Sequence, residues 1–209
     1  MKRNRMNKAA GFKLIVVLVL LSAACKKESG QSDNSFLQGE DQNSPSSISK
    51  LALCAPLPDS LAVPAGNKLV LQTFATGVQI YEVKRSTSDA SGFAWVNIAP
   101  SATLYAREDF TKPVIDHFAG PSWQFIKGAE KEETVVASRA AGVTVDNTAI
   151  QWLLLQAVPE RSTAGNKVTF IQRVCTVGGL APTSEPTELN LGQKDSIPYQ
   201  AIYLFYEKE

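Results

Sequence analysis

The stretch Leu69–Val83 reads Leu-Val-Leu-Gln-Thr-Phe-Ala-Thr-Gly-Val-Gln-Ile-Tyr-Glu-Val. β-Branched and aromatic residues fill it on both sides of Thr76-Gly77, and the polar Gln72 and Gln79 interrupt them, as is typical of half-buried strands. Because glycine adopts positive φ at no steric cost, we expect a bend or bulge at Gly77 between two strands. The stretch therefore predicts an extended structure that needs a sheet around it.

Short runs of the same extended character follow along the chain, separated by polar turns and by turns that contain glycine or proline. Their close spacing predicts an all-β protein, with a single antiparallel sandwich or barrel-like domain. Pro100 is expected to end a strand, and Tyr199–Tyr206, which is apolar on both faces, to be a central strand. The predicted strands are Lys68–Phe74, Val78–Lys84, Phe93–Ile98, Ala102–Arg107, Val114–Phe118, Trp123–Lys127, Glu133–Arg139, Val168–Thr176 and Tyr199–Tyr206.

The segment Ala149–Val158 fits either a buried helix or a buried strand. Its apolar run does not separate the two by periodicity, and the polar residues 146–148 could cap a helix. Pro159 and the turn at Thr163–Asn166 leave room for only a short element. We therefore expect a strand that pairs with Val168–Thr176.

The first 24 residues have the pattern of a secretory signal peptide. Five basic residues precede the apolar run Leu14–Leu21, which is too short to span a bilayer, and the small residues Ser22–Ala24 follow it. The next residue, Cys25, makes the site resemble a bacterial lipobox, which implies diacylation of the Cys25 thiol and cleavage before it. The alternative is ordinary secretion with an incidental cysteine. A lipid on Cys25 predicts an extracytoplasmic protein anchored to the cell envelope, on the periplasmic or outer-membrane side.

Three regions follow from this pattern: the signal peptide (1–24), a lipid anchor with a flexible tether (25–50) and one β-rich domain (51–209). The tether is rich in Ser, Asn, Gln and Gly and has few apolar residues, so it cannot bury enough surface to order itself. Leu51–Gly66 carries three prolines and is expected to be an extended lead-in on the edge of the domain.

The net charge of the mature chain argues against a nucleic-acid partner. Loss of the signal peptide leaves 16 basic against 20 acidic residues, a formal charge of −4 for the mature chain. A mildly acidic chain without basic clusters argues against nucleic-acid binding.

Cys54 and Cys175 are the other two cysteines, and in an oxidising compartment they could form one disulfide. The alternative is two free thiols. The sequence has neither a CxxC motif nor a Cys/His cluster, so we predict no metal site, and no motif indicates a cofactor.

Six blocks in order resemble a domain-of-unknown-function family that occurs in secreted bacterial and fungal proteins. Some fungal members carry a malate dehydrogenase label, but the sequence has no G-x-G-x-x-G motif between a strand and a helix. The resemblance implies no established activity. The blocks are LQTFATGVQIYEV (71–83), APSATLY (99–105), HFAGPSWQF (117–125), WLLLQAV (152–158), VTFIQRVCTVGGLAP (168–182) and YQAIYLFY (199–206).

The candidate site lies around His117, the single histidine of the chain. Asp116 precedes it, and Ser122 and Trp123 follow a Gly-Pro turn, so these four residues are our candidate ligand contacts. A histidine near an acid and a serine suggests nucleophilic catalysis, but there is no G-x-S-x-G motif, and a hydrogen-bonded sheet histidine explains it equally.

The remaining candidates have structural explanations. Trp95, Trp123 and Trp152 could form a ligand platform or pack in the core, and we favour the core for Trp95 and Trp152. Arg173 sits in an apolar strand beside Gln172, where burial of its charge calls for a carboxylate partner. The acidic run Glu130–Glu133 is expected to be a solvated turn.

These observations favour a non-catalytic envelope domain that binds a small molecule, a glycan or a protein through the face near His117 and Trp123. The alternative is an envelope hydrolase with His117 as general base, which requires a carboxylate and a nucleophile within hydrogen-bond reach. A third hypothesis is an assembly protein with a large exposed apolar patch and no pocket.

Overall fold

The computed structural model describes residues 54–127 and 130–209. The predictions for the signal peptide, Cys25 and the tether lie outside the described residues. The predicted all-β class is confirmed. The strands are β1 (Asn67–Arg85), β2 (Phe93–Tyr105), β3 (Pro113–Phe118), β4 (Ser122–Lys127), β5 (Glu130–Val143), β6 (Trp152–Ala157), β7 (Val168–Gly178) and β8 (Lys194–Lys208).

The eight strands form a closed antiparallel barrel in chain order. Each strand pairs with the next, and β8 returns to pair with β1. Closure leaves no strand with a free edge, so every strand has two hydrogen-bonded neighbours. The turns β1–β2, β3–β4, β5–β6 and β7–β8 therefore lie at one end of the barrel, which we call the upper end.

Alternation on β8 shows how the interior is filled. Alternate residues of a strand face the same side, and four such residues of β8 are buried in one interior cluster. They are Tyr199, Ala201, Tyr203 and Phe205. The ring of Phe205 meets the ring of Phe125 on β4 edge to face, with centroids 5.7 Å apart. These aromatic side chains therefore pack against each other in the interior of the barrel.

A second apolar cluster explains why β8 is apolar on both faces. Leu204 belongs to this cluster with Trp152, Leu154 and Val174, and the lead-in residue Leu61 is fully buried against them. The lead-in includes the 3₁₀ turn Asp59–Leu61. The expectation that the lead-in lies at an edge is wrong, because the closed barrel has no edge and this segment packs on apolar side chains.

Two predicted strand breaks are absent. β1 runs through Gly77, whose φ is not positive, and its register shifts occur instead near Leu69 and Ile80. A Cβ at Gly77 would overlap Ser101 O and Ala102, so glycine is needed there for close approach of two strands. β2 likewise continues through Pro100 opposite Gln79.

The ambiguous segment is a strand, as predicted. β6 pairs with β7, with Leu153 opposite Arg173 and Leu155 opposite Ile171. The strand begins at Trp152 rather than Ala149. The acidic run that we expected to be a turn is instead the start of β5, which begins at Glu130.

The lead-in is joined covalently to the barrel. The structure places Cys54 and Cys175 in a disulfide that spans 121 positions of the chain. Cys175 lies on β7 at the register shift between Val174 and Val177, and its φ is 50°. A cross-link across such a long segment stabilises the fold mainly by restricting the unfolded chain.

No helix within the described ranges is long and apolar enough to cross a membrane.

Candidate functional site

A cavity of about 580 Å³ opens among the loops at the upper end of the barrel. This volume falls within the range of about 300–1,000 Å³ that is usual for small-molecule sites. Half of its lining residues are apolar, and the other half carry a polar atom in the side chain. The polar lining residues are Gln79, Tyr81, Asn97, His117, Trp123, Arg139, Gln151, Arg173 and Tyr203.

Two of the four candidate residues meet on the inner wall. His117 on β3 lies directly opposite Trp123 on β4, and their rings stack with centroids 4.3 Å apart and an interplanar angle of 11°. The ring of Tyr203 meets both rings edge to face. Adjacent antiparallel strands therefore build one aromatic wall of the cavity.

The hydrogen bond of His117 fixes its tautomer. Nδ1 lies 2.8 Å from the carbonyl oxygen of Ser122. Because a carbonyl oxygen accepts only, Nδ1 must donate, and Nε2 of the neutral ring carries the lone pair. His117 is 4% exposed. Burial lowers its pKa to about 3, with a further lowering from the charge of Arg173 and a partial opposing effect from the Ser122 hydrogen bond.

The other two candidates do not line this cavity. Asp116 precedes His117 on β3, so its side chain points to the opposite face of the strand. Ser122 precedes Trp123 in the same way, and its hydroxyl donates to the carbonyl oxygen of Ala119 at 3.1 Å. In the described part of the chain, no carboxylate or hydroxyl is hydrogen-bonded to His117.

Two buried donors at the cavity lack partners. Nε1 of Trp123 and Nε2 of Gln79 have no acceptor within hydrogen-bond geometry, and their side chains are 1% and 4% exposed. The Gln79 oxygen is occupied, because it accepts from Asn97 Nδ2 at 3.0 Å. Hydrogen bonding from Gln79 opposes the rise in the pKa of the Tyr199 hydroxyl that burial causes, so Trp123 Nε1 is the clearer case of a missing partner. A buried donor without a partner costs about 1–3 kcal/mol. Both atoms are closed to solvent, so they belong to the packed wall rather than to the open surface of the cavity.

Arg173 is the charged side chain on the deeper wall. It is half-buried, and its Nε and one Nη donate to the carbonyl oxygen of Gln151 at 3.2 and 2.9 Å. The expected carboxylate partner is absent: among the described side chains, the one ion pair joins Arg85 to Glu188 on the surface. Within the described part of the chain, no carboxylate therefore pairs with this guanidinium beside the cavity.

The charge of Arg173 extends to the tyrosines around it. Burial raises the pKa of the Tyr81 and Tyr203 hydroxyls, and the charge of Arg173 opposes that rise at both. The Tyr81 hydroxyl donates to the carbonyl oxygen of Gly179 at 2.6 Å, which connects β1 to the β7–β8 loop. The hydroxyls remain protonated at neutral pH and serve as neutral hydrogen-bonding groups.

Sequence reasoning found the aromatic pair but not the polar half of this site. In the sequence alone, Gln79 is only a polar interruption of a strand, and Arg173 is a residue that calls for a carboxylate partner. The signal was present in the sequence, because a long polar side chain at an inward position of an apolar strand requires either a partner or a polar cavity. Only the register of the strands shows that these two positions face the interior of the barrel.

Residues 64–207 match the family model described as "Protein of unknown function (DUF3455)". The chain belongs to this family. The predicted membership of a domain-of-unknown-function family is thus confirmed, and the match covers β1 to β7 and all but the last residue of β8. No curated protein and no solved structure matches the chain.

The described residues contain no group of three or more His, Cys, Asp or Glu side chains arranged to hold a metal ion.

Proposed function

We propose that this chain is a non-catalytic binding protein for a small organic molecule, tethered to the bacterial cell envelope through a lipid on Cys25. The cavity at the upper end of the barrel is the binding site. The observation that carries the proposal is a cavity of ligand size whose wall combines the stacked rings of His117 and Trp123 with the half-buried guanidinium of Arg173. Small eight-stranded barrels have an interior that can hold one such ligand.

The geometry around His117 favours binding over hydrolysis. A general base works best with a pKa near the operating pH, whereas burial holds the pKa of His117 at about 3. Its Nδ1 bonds to a backbone carbonyl, and its faces contact Trp123 and Tyr203. We therefore assign His117 to the wall of the cavity, and no observation favours the hydrolase alternative.

The binding test uses N-phenyl-1-naphthylamine, a neutral aromatic probe that fluoresces in apolar surroundings. We expect saturable binding with one site and a Kd on the order of 10 μM, from the affinity per atom that is usual for ligands of this size. Leu153→Trp, which adds bulk to a side chain lining the cavity, is expected to weaken binding at least tenfold. Fluorescence titration measures both.

The matched control is Leu191→Trp, the same substitution at an exposed leucine that does not line the cavity. It should leave the Kd unchanged, and circular dichroism should show that both variants are folded. Equal binding by the wild type and Leu153→Trp, or no binding by the wild type, would contradict the proposed site.

The anchor is tested separately by membrane fractionation of Cys25→Ser. Because the substitution removes the thiol that carries the lipid, we expect the protein to move from the membrane fraction to the soluble extracytoplasmic fraction. Ser29→Ala, four residues further along, is the control and should stay with the membrane. Unchanged partitioning of Cys25→Ser would rule out the lipid anchor.

A further inference from the structure

The charge of the cavity wall has one sign. Two arginines, Arg139 and Arg173, line it, and none of the described lining residues is an aspartate or a glutamate. Arg139 is exposed at the rim, where water and salt screen its charge. Arg173 is half-buried on the deeper wall, where a charge interacts more strongly with a ligand.

Arg173 is held in place by the fold. Its Nε and one Nη share the carbonyl oxygen of Gln151, the residue before β6 begins, and Leu153 lies opposite Arg173 on that strand. Hydrogen bonding from Arg173 also opposes the burial-raised pKa of Tyr203. A guanidinium has five N–H donors, so a group fixed by two of them still has donors to offer a ligand.

The other polar side chains on the deeper wall do not oppose this charge. The Gln79 oxygen is already occupied by Asn97, and the hydroxyls of Tyr81 and Tyr203 are neutral because burial raises their pKa. A fixed guanidinium with N–H donors to spare is complementary to an acidic group rather than to a cation or to a hydrocarbon.

The rest of the cavity wall determines what kind of ligand body can bind. The stacked rings of His117 and Trp123 form a flat face. Apolar surface beside it comes from Ile150, Leu153, Leu155 and Leu180. An apolar surface of this kind accepts a ring system or an alkyl chain.

We infer that the cavity takes an amphipathic organic anion, a molecule with an apolar ring or chain and one acidic head, and that Arg173 binds the head. The inference rests on the proposed function, because it names the ligand class of the same cavity. It assigns Arg173 the role of specificity-determining residue. The aromatic wall then holds the body of the ligand.

The test compares two probes that share one body. 8-Anilinonaphthalene-1-sulfonate is N-phenyl-1-naphthylamine with an added sulfonate, so the pair differs by one anionic head. We expect the wild type to bind the sulfonate at least tenfold more tightly, because a charge-assisted hydrogen bond in a partly buried site contributes about that factor. Arg173→Gln should remove this preference and leave the affinity for the neutral probe within about twofold.

Two further variants test whether the sulfonate preference depends on a positive charge at position 173. Arg173→Lys retains the charge and should restore part of the preference for the sulfonate. Arg107→Gln removes one positive charge at an exposed position outside the cavity and should leave the preference unchanged. Thermal melts establish that every variant is folded before its titration is interpreted.

The outcomes separate the two proposals. If the neutral probe binds in the cavity and the sulfonate binds no more tightly, the anion inference is overturned while the proposed function stands. If the sulfonate preference survives in Arg173→Gln, Arg173 does not bind the head. If neither probe binds, the proposed function fails as well.

Discussion

Gly77→Ala is expected to lower the free energy of unfolding by about 3 kcal/mol, the upper part of the range for overpacking a tight site. Gly77 pairs with Ala102 across β1 and β2, and a Cβ there would overlap Ser101 O and the Cα and Cβ of Ala102. These atoms belong to the backbone or are attached directly to it, so no rotamer change removes the overlap. The two strands would have to separate. Urea denaturation followed by circular dichroism measures the loss.

Gly142→Ala is the matched control on β5. Its φ is also not positive, and its Cβ would meet the guanidinium of Arg139 and a terminal methyl of Leu153, which can both move. Since alanine also reduces the freedom of the unfolded chain, we expect a change within about 1 kcal/mol. If Gly77→Ala lowers the free energy of unfolding no more than Gly142→Ala does, then β1 and β2 do not approach each other closely at Gly77.

Acid is expected to destabilise the protein through His117. The unfolded imidazole takes up a proton near pH 6.5, whereas the buried ring, with its pKa lowered to about 3, stays neutral. Between these values the unfolded state binds one proton more than the native state, so stability falls as pH falls. Above pH 6.5 the ring is neutral in both states, so the free energy of unfolding is not reduced by His117. By pH 4, protonation of the unfolded ring has lowered the free energy of unfolding by about 3 kcal/mol.

His117→Asn isolates this contribution from that of the carboxylates. The Asn side-chain nitrogen can take the place of Nδ1 as donor to the Ser122 carbonyl oxygen, but it does not titrate. Free energies of unfolding at pH 7 and pH 4 should differ by about 3 kcal/mol less in the variant than in the wild type. Equal pH dependence in the two proteins would show that His117 can be protonated in the native state.

The sequence predicted the class of the fold because the strand signal is local. β-Branched and aromatic runs separated by turn residues predict strands without any knowledge of their partners. Barrel closure and register depend on contacts such as that between Leu69 and Tyr206, which are remote in sequence. For the same reason, sequence reasoning assigned Gly77 and Pro100 to strand breaks, their commonest role, although both lie inside long paired strands.

The aromatic half of the candidate site was predictable, and the polar half was not. His117 and Trp123 lie on two short strands joined by a tight turn, so local sequence places them near each other. Arg173 and Gln79 are distant in sequence, and their approach to the same cavity depends on the register of β7 and β1. Asp116 and Ser122 are neighbours of the aromatic pair in sequence, but strand alternation turns their side chains to the other face.

The central claim is that the cavity at the upper end of the barrel holds a small ligand. A crystal structure of the protein with bound N-phenyl-1-naphthylamine tests it most directly. We expect electron density for the naphthyl rings against the stacked rings of His117 and Trp123, within reach of Arg173. Density only on the outer surface of the barrel, with the cavity empty, would contradict it.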